Sequence, residues 1–584
     1  MSRKFLGLIA LFVLLVAAGC GSPTALPTSN APTEAASSTN LPEDTAVAPD
    51  NPTAQLPPTN TPTLPATPTA TAVAPQIDLS LEEGDVFLYP VPEIYAGDKV
   101  TFQVLAHVPE NVDPRSVTVH ILVDYQDVAE GTLSSPNLAG NAVGLFEWAW
   151  DTTDNVGEHL VHVILDRFDT VSAGDENKDN NQVMLTVAVR NPLELPPNQR
   201  NATWVTAETD CCNVYVVSGT AAYRDLPDLL VKVETAVDQA AASLEEELNR
   251  KIDVYLIDRV IGQGGYAGNA IVISYLDRQY ASQGFEQVLV HEAVHIIDRQ
   301  FAPDRITFLA EGLAVWGSGG HYKPENIPQR AAALVALQQY VPLAQLIDNF
   351  YPVQHEVGYL ESAGFVDYLI NTYGWPGFKQ FYADVAAADA PTMSQAMDLN
   401  LQQYFGVTLA QAEADWLAYL ATLPEDRNML IDLQTTIRYF NVMRYYQRAY
   451  DPTAYFLTAW LPYPGSLKTE GNPADLTRHP QGEVNVTLEV MLQAADVALR
   501  AGDYNKANVL LDSVTRVLDN DGVFIDPLAA SYLNLVHSLT GQGYEVHQVR
   551  LSGDRAEVQV SGANTAVLTP LTLVLSGQNW VLSN

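Results

Sequence analysis

The chain has 584 residues, 69 acidic against 30 basic, for a formal net charge of −39. A surface this acidic repels phosphate backbones and anionic bilayers, which excludes nucleic acid and acidic lipid as partners. Hydrophobic residues make up 47 % and charged residues 17 %, the balance of a multidomain globular protein that also carries a polar segment without a core.

Arg3-Lys4 precedes an apolar run, Phe5 to Ala18, that is too short for a spanning helix and reads as a targeting segment. The run closes on Ala17-Ala18-Gly19-Cys20, which resembles a bacterial lipobox. That resemblance implies a signal peptide over residues 1–20, cleavage before Cys20 and lipidation of its thiol. A simple secretory signal is the alternative. The expected place of the mature chain is the bacterial cell envelope, lipid-anchored on the extracytoplasmic face of the membrane. Residues 21–76 consist largely of Pro, Thr, Ala, Ser and Asn with no aromatic residue. Such a segment cannot bury enough surface to offset its ordering entropy, so a disordered Pro/Thr-rich tether is expected.

Residues 77–191 change character. Lys99 to Val108, Ser116 to Val123, His159 to Leu165 and Val183 to Val189 alternate apolar and polar residues with turn residues between them, the pattern of a β-sandwich. The segment resembles bacterial cell-adhesion-related, immunoglobulin-like modules, most clearly at Gly174 to Asn181 before the last strand. Asp175 and Asp179 there offer calcium ligands, but a polar turn without an ion is the simpler expectation.

A Pro-containing linker, residues 192–202, leads to a segment over 203–424. Adjacent Cys211 and Cys212 exclude an ordinary disulfide framework; a vicinal disulfide or two buried thiols remain, with a structural role. Val214 to Val217, Ile252 to Ile257 and Ala270 to Ser274 read as strands, Leu226 to Leu248 as an amphipathic helix, and Gly262 to Gly268 as a Gly-rich turn. That turn has no phosphate-binding spacing. Phe285 to Arg299 then reads as a helix that is apolar on most sides, hence buried, and it holds His291-Glu292-Ala293-Val294-His295. Residues four apart share a helix face, so His291 and His295 can grip one metal ion, with Glu292 offset toward a metal-bound water. A second helical stretch, Ile306 to Trp316, carries Glu311 as the natural third ligand of a catalytic zinc.

His291-Glu292-x-x-His295 followed by Ala310-Glu311-Gly312-Leu313-Ala314 resembles the gluzincin (thermolysin-like) metallopeptidase superfamily. Gly358 to Leu369 with Tyr373-Gly374 resembles the helix that follows in those relatives. The resemblance implies zinc held by His291, His295 and Glu311, Glu292 as general base, and Tyr359 as a donor to the oxyanion. It also implies a sheet before the zinc helix whose last strand, Ala270, Ile271, Val272, Ile273 and Ser274, is the cleft edge that pairs with an extended peptide. His321 and His355 are expected to be surface histidines, with a place in the cleft as the alternative.

Residues 425–543 read as mostly helical, with one tetratricopeptide-like hairpin at Ala494 to Ala507; residues 544–584 alternate again and suggest a small β-sheet. The aromatic residues between Tyr439 and Trp460 are expected in the core rather than on a sugar-stacking surface. The expected fold is therefore an all-β immunoglobulin-like sandwich, an α+β gluzincin-like domain, then a mostly helical domain with a small terminal β-sheet. The expected function is a zinc (Zn2+) metallopeptidase acting on a peptide or protein substrate and tethered to the membrane through its N-terminal lipid. The alternative is a non-catalytic surface adhesion or binding lipoprotein that keeps the fold as a scaffold.

Overall fold

The computed structural model describes residues 77–583, apart from positions 92, 135, 138–139, 172–173, 176, 196, 259–263, 282–283, 459, 471–472, 563–564 and 578. The signal segment, Cys20 and the tether lie outside the described residues. No helix among those described is long and apolar enough to cross a membrane.

The N-terminal region is β-rich. Strands β1 (Val86–Tyr89), β3 (Lys99–Ala106) and β6 (Ala142–Asp151) form one sheet, and β2 (Ile94–Tyr95), β8 (Gln182–Arg190), β7 (Gly157–Leu165), β4 (Thr118–Val123) and β5 (Gln126–Thr132) form a second, in those orders. Inward residues of both meet in one core: Val100, Phe102 and Val104 from β3, Val119 and Ile121 from β4, Val161 and Val163 from β7. Each is shielded because alternate residues of a strand point to the same face. In the turn before β8, Asp175 accepts hydrogen bonds from the Leu79 and Asn177 amides and the Asn181 side chain, so the chain's own donors use its carboxylate.

A third sheet follows, in the order β12 (Gly265–Ala267), β13 (Ile271–Ser274), β11 (Ile252–Ile257), β10 (Cys212–Val217), β9 (Trp204–Glu208). β10, β11 and β13 are parallel, and β9 and β12 run antiparallel at the two edges. The crossover from β10 to β11 is the helix Leu226–Leu244, which stops short of Leu248 because Glu245 turns into the left-handed region at φ 51°. Cys211 and Cys212 are joined as a vicinal disulfide at the start of β10. Val214, Val216, Val254, Leu256, Ile271 and Ile273 pack on the helices between Leu226 and Leu420. Tyr255 and Val272, on the opposite face, pack with Tyr89 of the N-terminal region and Trp460 of the C-terminal one.

This topology corrects two expectations. Ile271–Ser274 is not the sheet edge: β12 covers it, and its four residues are buried. The edge lies inside the stretch read as a Gly-rich turn.

Helices dominate from Phe285 onward. The long helix Arg427–Tyr450 packs with Glu483–Arg500 and Tyr504–Leu518, Pro527–Thr540 packs on those two, and strands β14 (Tyr544–Ser552), β15 (Arg555–Gly562), β16 (Thr569–Ser576) and β17 (Asn579–Leu582) form a meander beside them. Their shared core includes Tyr439, Phe440 and Tyr446, and it takes in Tyr280, Ala281 and Tyr322 from the metal region. Residues 77 to 584 form one compact unit. Buried ion pairs stitch it together: Arg278 to Glu489, Arg330 to Asp432, and Arg478 to Asp98.

Candidate active site

The site is built on the helix Phe285–Asp298. Val288, Leu289, Val290, Ala293, Val294, Ile296 and Ile297 are buried around it, so its backbone is fixed on nearly all sides. On the strip left open by this packing the two histidines stand one turn apart. The next helix, Thr307–Ser318, brings Glu311 across from them. Two glycines permit that approach. A Cβ on Gly312 would strike the Ser362 hydroxyl and lie 2.8 Å from its carbonyl oxygen, and one on Gly317 would lie 2.8 Å from Val294 Cγ2.

Three ligand atoms converge. His291 Nε2 and His295 Nε2 are 3.1 Å apart, and each is 3.2 Å from Glu311 Oε2. Among the described residues this is the one group of three or more such side chains so close together. Two ring nitrogens and a carboxylate oxygen at those separations leave a point about 2 Å from all three, which is the Zn–N and Zn–O bond length. The donor set, two imidazoles and one carboxylate, is that of a catalytic rather than a structural zinc. The residues present fit the ion.

At His295 and Glu311 protonation agrees with ligation; at His291 burial opposes the charged ring but the Glu311 and Glu292 carboxylates outweigh it and raise its pKa, so a metal there displaces a proton. Burial pulls the His295 ring down to about 4, so it is neutral and has a lone pair to give. Burial opposes ionisation of Glu311, but the two imidazoles outweigh it and hold the carboxyl well below its ordinary range. The other oxygen, Oε1, accepts a hydrogen bond of 3.0 Å from the Tyr351 hydroxyl, which leaves Oε2 to face the rings. Nothing in the sequence pattern marked Tyr351, which lies in the loop after the helix Leu343–Asp348.

Glu292 is 5 % exposed, and burial raises its carboxyl to about 7. A base poised there can take a proton from water and give it back at neutral pH. Its neighbour across the site is the edge strand: a Cβ on Gly265 would lie 2.9 Å from Val288 and 3.2 Å from Glu292 Cγ. The Gly264 carbonyl accepts from the Ser274 amide of β13, and the Gly268 amide donates to the Ala270 carbonyl just before that strand. By antiparallel alternation the Gly265 and Ala267 backbone groups face outward. Arg299, at the end of the metal helix, donates to the Ala267 and Gly268 carbonyls at 3.0 and 3.1 Å and pins this edge. The Ala270 to Ser274 segment, expected at the cleft, stands one strand behind it.

Tyr359 lies on the helix His355–Tyr373, its ring 6.1 Å from that of His291. Burial pushes its phenol well above the usual value, so the hydroxyl keeps its proton and can donate. His321 and His355 correct the sequence expectation, since neither is a surface residue. His321 is 5 % exposed, stacks on Tyr359 at 4.6 Å and places Nδ1 2.5 Å from Glu356; the His355 ring is also 4.6 Å from Tyr359. The pair clamps the tyrosine.

No protein-family model and no curated protein matches this sequence. Solved structures give slight likenesses. Yeast LTA4 hydrolase is 12 % identical with a TM-score of 0.29, over 76 % of this chain and 83 % of that one. An M1 zinc metallopeptidase variant from Deinococcus radiodurans is 14 % identical with a TM-score of 0.29, over 60 % and 94 %. An aminopeptidase N family protein from Idiomarina loihiensis is 11 % identical with a TM-score of 0.26, over 59 % and 77 %. Scores this low carry no functional weight, which rests on the geometry above.

Proposed function

We propose that this chain is a zinc-dependent peptidase of the cell envelope. One observation carries the reading: His291, His295 and Glu311 converge on one point with Glu292 buried beside it. Zinc, when bound there, polarises the scissile carbonyl and acidifies a water. The chain's own residues supply the rest. Glu292 takes the proton of the attacking water and delivers it to the leaving amine. The Tyr359 hydroxyl donates to the oxyanion as charge develops on the former carbonyl oxygen. Gly265, through its amide and carbonyl, and Ala267, through its amide, offer backbone groups to an extended peptide, which would add as a strand beyond β12. Tyr351 keeps Glu311 from turning both oxygens toward the rings.

The decisive test is Glu292→Gln. Zinc content should be unchanged, while kcat on a peptide library falls by about 100-fold or more. Undiminished turnover contradicts the mechanism. Zinc held by the wild type without cleavage of any peptide leaves the scaffold reading, an adhesion or binding protein, in its place.

The envelope location rests on the Arg3-Lys4 start, the apolar run and Cys20, and the Cys211–Cys212 disulfide suits an oxidising exterior. With the chain expressed in a bacterium, labelled palmitate should enter the wild-type protein and not Cys20→Ser. Equal labelling removes the anchor.

A further inference from the structure

A chain with 69 acidic residues gives its buried arginines carboxylate partners. Arg278 has Glu489, Arg305 has Asp298, Arg330 has Glu325 and Asp432, and Arg478 has Asp98. Arg299 has its two backbone carbonyls. Arg444 is the exception. Among the described residues no carboxylate pairs with it; its hydrogen bond is to the neutral Gln447 Oε1 at 2.7 Å, and its Nε is sealed from solvent with no partner. Burial alone pulls its pKa down, to about 10, so it remains a cation at neutral pH in surroundings that penalise the charge.

The surroundings lead to the metal. The Arg444 guanidinium sits 4.5 Å over the Phe456 ring, Phe456 is 5.4 Å from His355, His355 is 4.6 Å from Tyr359, and Tyr359 is 6.1 Å from His291. A continuous wall of rings thus runs from the candidate zinc site to a lone guanidinium on the long C-terminal helix. An aromatic-lined, partly desolvated arginine is a strong receptor for a planar anion, because a carboxylate restores the charge balance that the fold omits.

On the peptidase reading, we propose that Arg444 receives a substrate carboxylate, so that the site acts on peptides carrying a free carboxyl group close to the scissile bond. The group is either the C-terminal carboxylate of a short peptide or an acidic side chain. The chemistry at Arg444 is the same for both.

The test uses the full zinc-loaded chain and one peptide library made twice, as free acids and as C-terminal amides, each with and without an internal Asp or Glu. The wild type should favour carboxylate-bearing peptides in kcat/KM by about thirtyfold or more, the usual effect of losing one partner of a desolvated pair. A free-acid preference identifies the C-terminus, and an internal-acid preference that is blind to amidation identifies the side chain. Arg444→Met should remove that preference, chiefly through KM, and Arg444→Lys should restore part of it. The melting temperature of Arg444→Met should not fall, since it removes a buried charge that has no partner. A fall in melting temperature with equal loss on every peptide set makes Arg444 structural and overturns the proposal. Equal turnover of all sets by the wild type overturns it too and leaves the peptidase reading intact, whereas no turnover of any set overturns both.

Discussion

Glu361 lies two residues beyond Tyr359 and is 1 % exposed, with the Val341 amide as its donor at 3.0 Å. Burial pushes its carboxyl up to about 9, against the pull of that amide and with help from Glu413. An acid whose folded pKa exceeds its unfolded one contributes full stability below the unfolded value and loses it as pH rises toward the folded value. Stability should therefore decline between roughly pH 5 and 9, and Glu361→Gln should flatten that decline and stabilise the protein by about 1 kcal/mol or more near pH 8. Melting curves across that range decide it; an unchanged slope contradicts the assignment. Tyr351 is a second single-residue test. Tyr351→Phe removes the hydrogen bond to Glu311 Oε1 and should weaken zinc binding by about 10- to 100-fold in competition with a chelator, as loss of a ligand's outer partner does. Equal affinity would show that Glu311 is oriented by its helix alone.

At the scale of elements, the site depends on how closely two helices approach. Gly312 lets Thr307–Ser318 lie against His355–Tyr373, where a Cβ would strike Ser362. Gly312→Ala should cost about 1–3 kcal/mol from overpacking and move Glu311 off the histidines. Matched stability and zinc content would show that the interface yields. The metal helix itself was legible in the sequence, because its four-residue histidine spacing and its apolar surround are local facts. The edge strand was not: Gly265-Tyr266-Ala267 has no period to detect, and it is a strand only because β13 lies beside it. For the same reason Ala270 to Ser274 was legible as a strand but not as an inner one, since strand order is a long-range fact. His321 looked like a surface histidine because nothing nearby in sequence announces Glu356, its partner 35 residues on. Tyr351 reaches Glu311 from a loop, and Arg444 stands on a distant helix; neither sits in a recognisable motif.

For the whole molecule, the β-rich, α+β and helical regions expected from the sequence share cores and buried ion pairs. Tyr280, Ala281 and Tyr322 complete the C-terminal core, and Arg278 is neutralised by Glu489. Cutting the chain to residues 203–424 strips Arg278 of its partner and exposes Tyr280, Ala281 and Tyr322. That fragment should bind a hydrophobic dye and melt well below the full chain, because an uncompensated buried charge costs about 3–5 kcal/mol. A fragment that melts sharply at the parent temperature would make the C-terminal helices a dispensable appendage. Arg444 stands on one of those helices, Arg427–Tyr450, so the proposed carboxylate preference should be lost with them.

The most direct measurement is the zinc stoichiometry of the purified full chain after exhaustive dialysis, beside Glu311→Ala. The geometry of His291, His295 and Glu311 predicts one zinc per wild-type chain and loss of most of it from the variant. A wild type that retains no zinc, or a variant that retains as much, would contradict it.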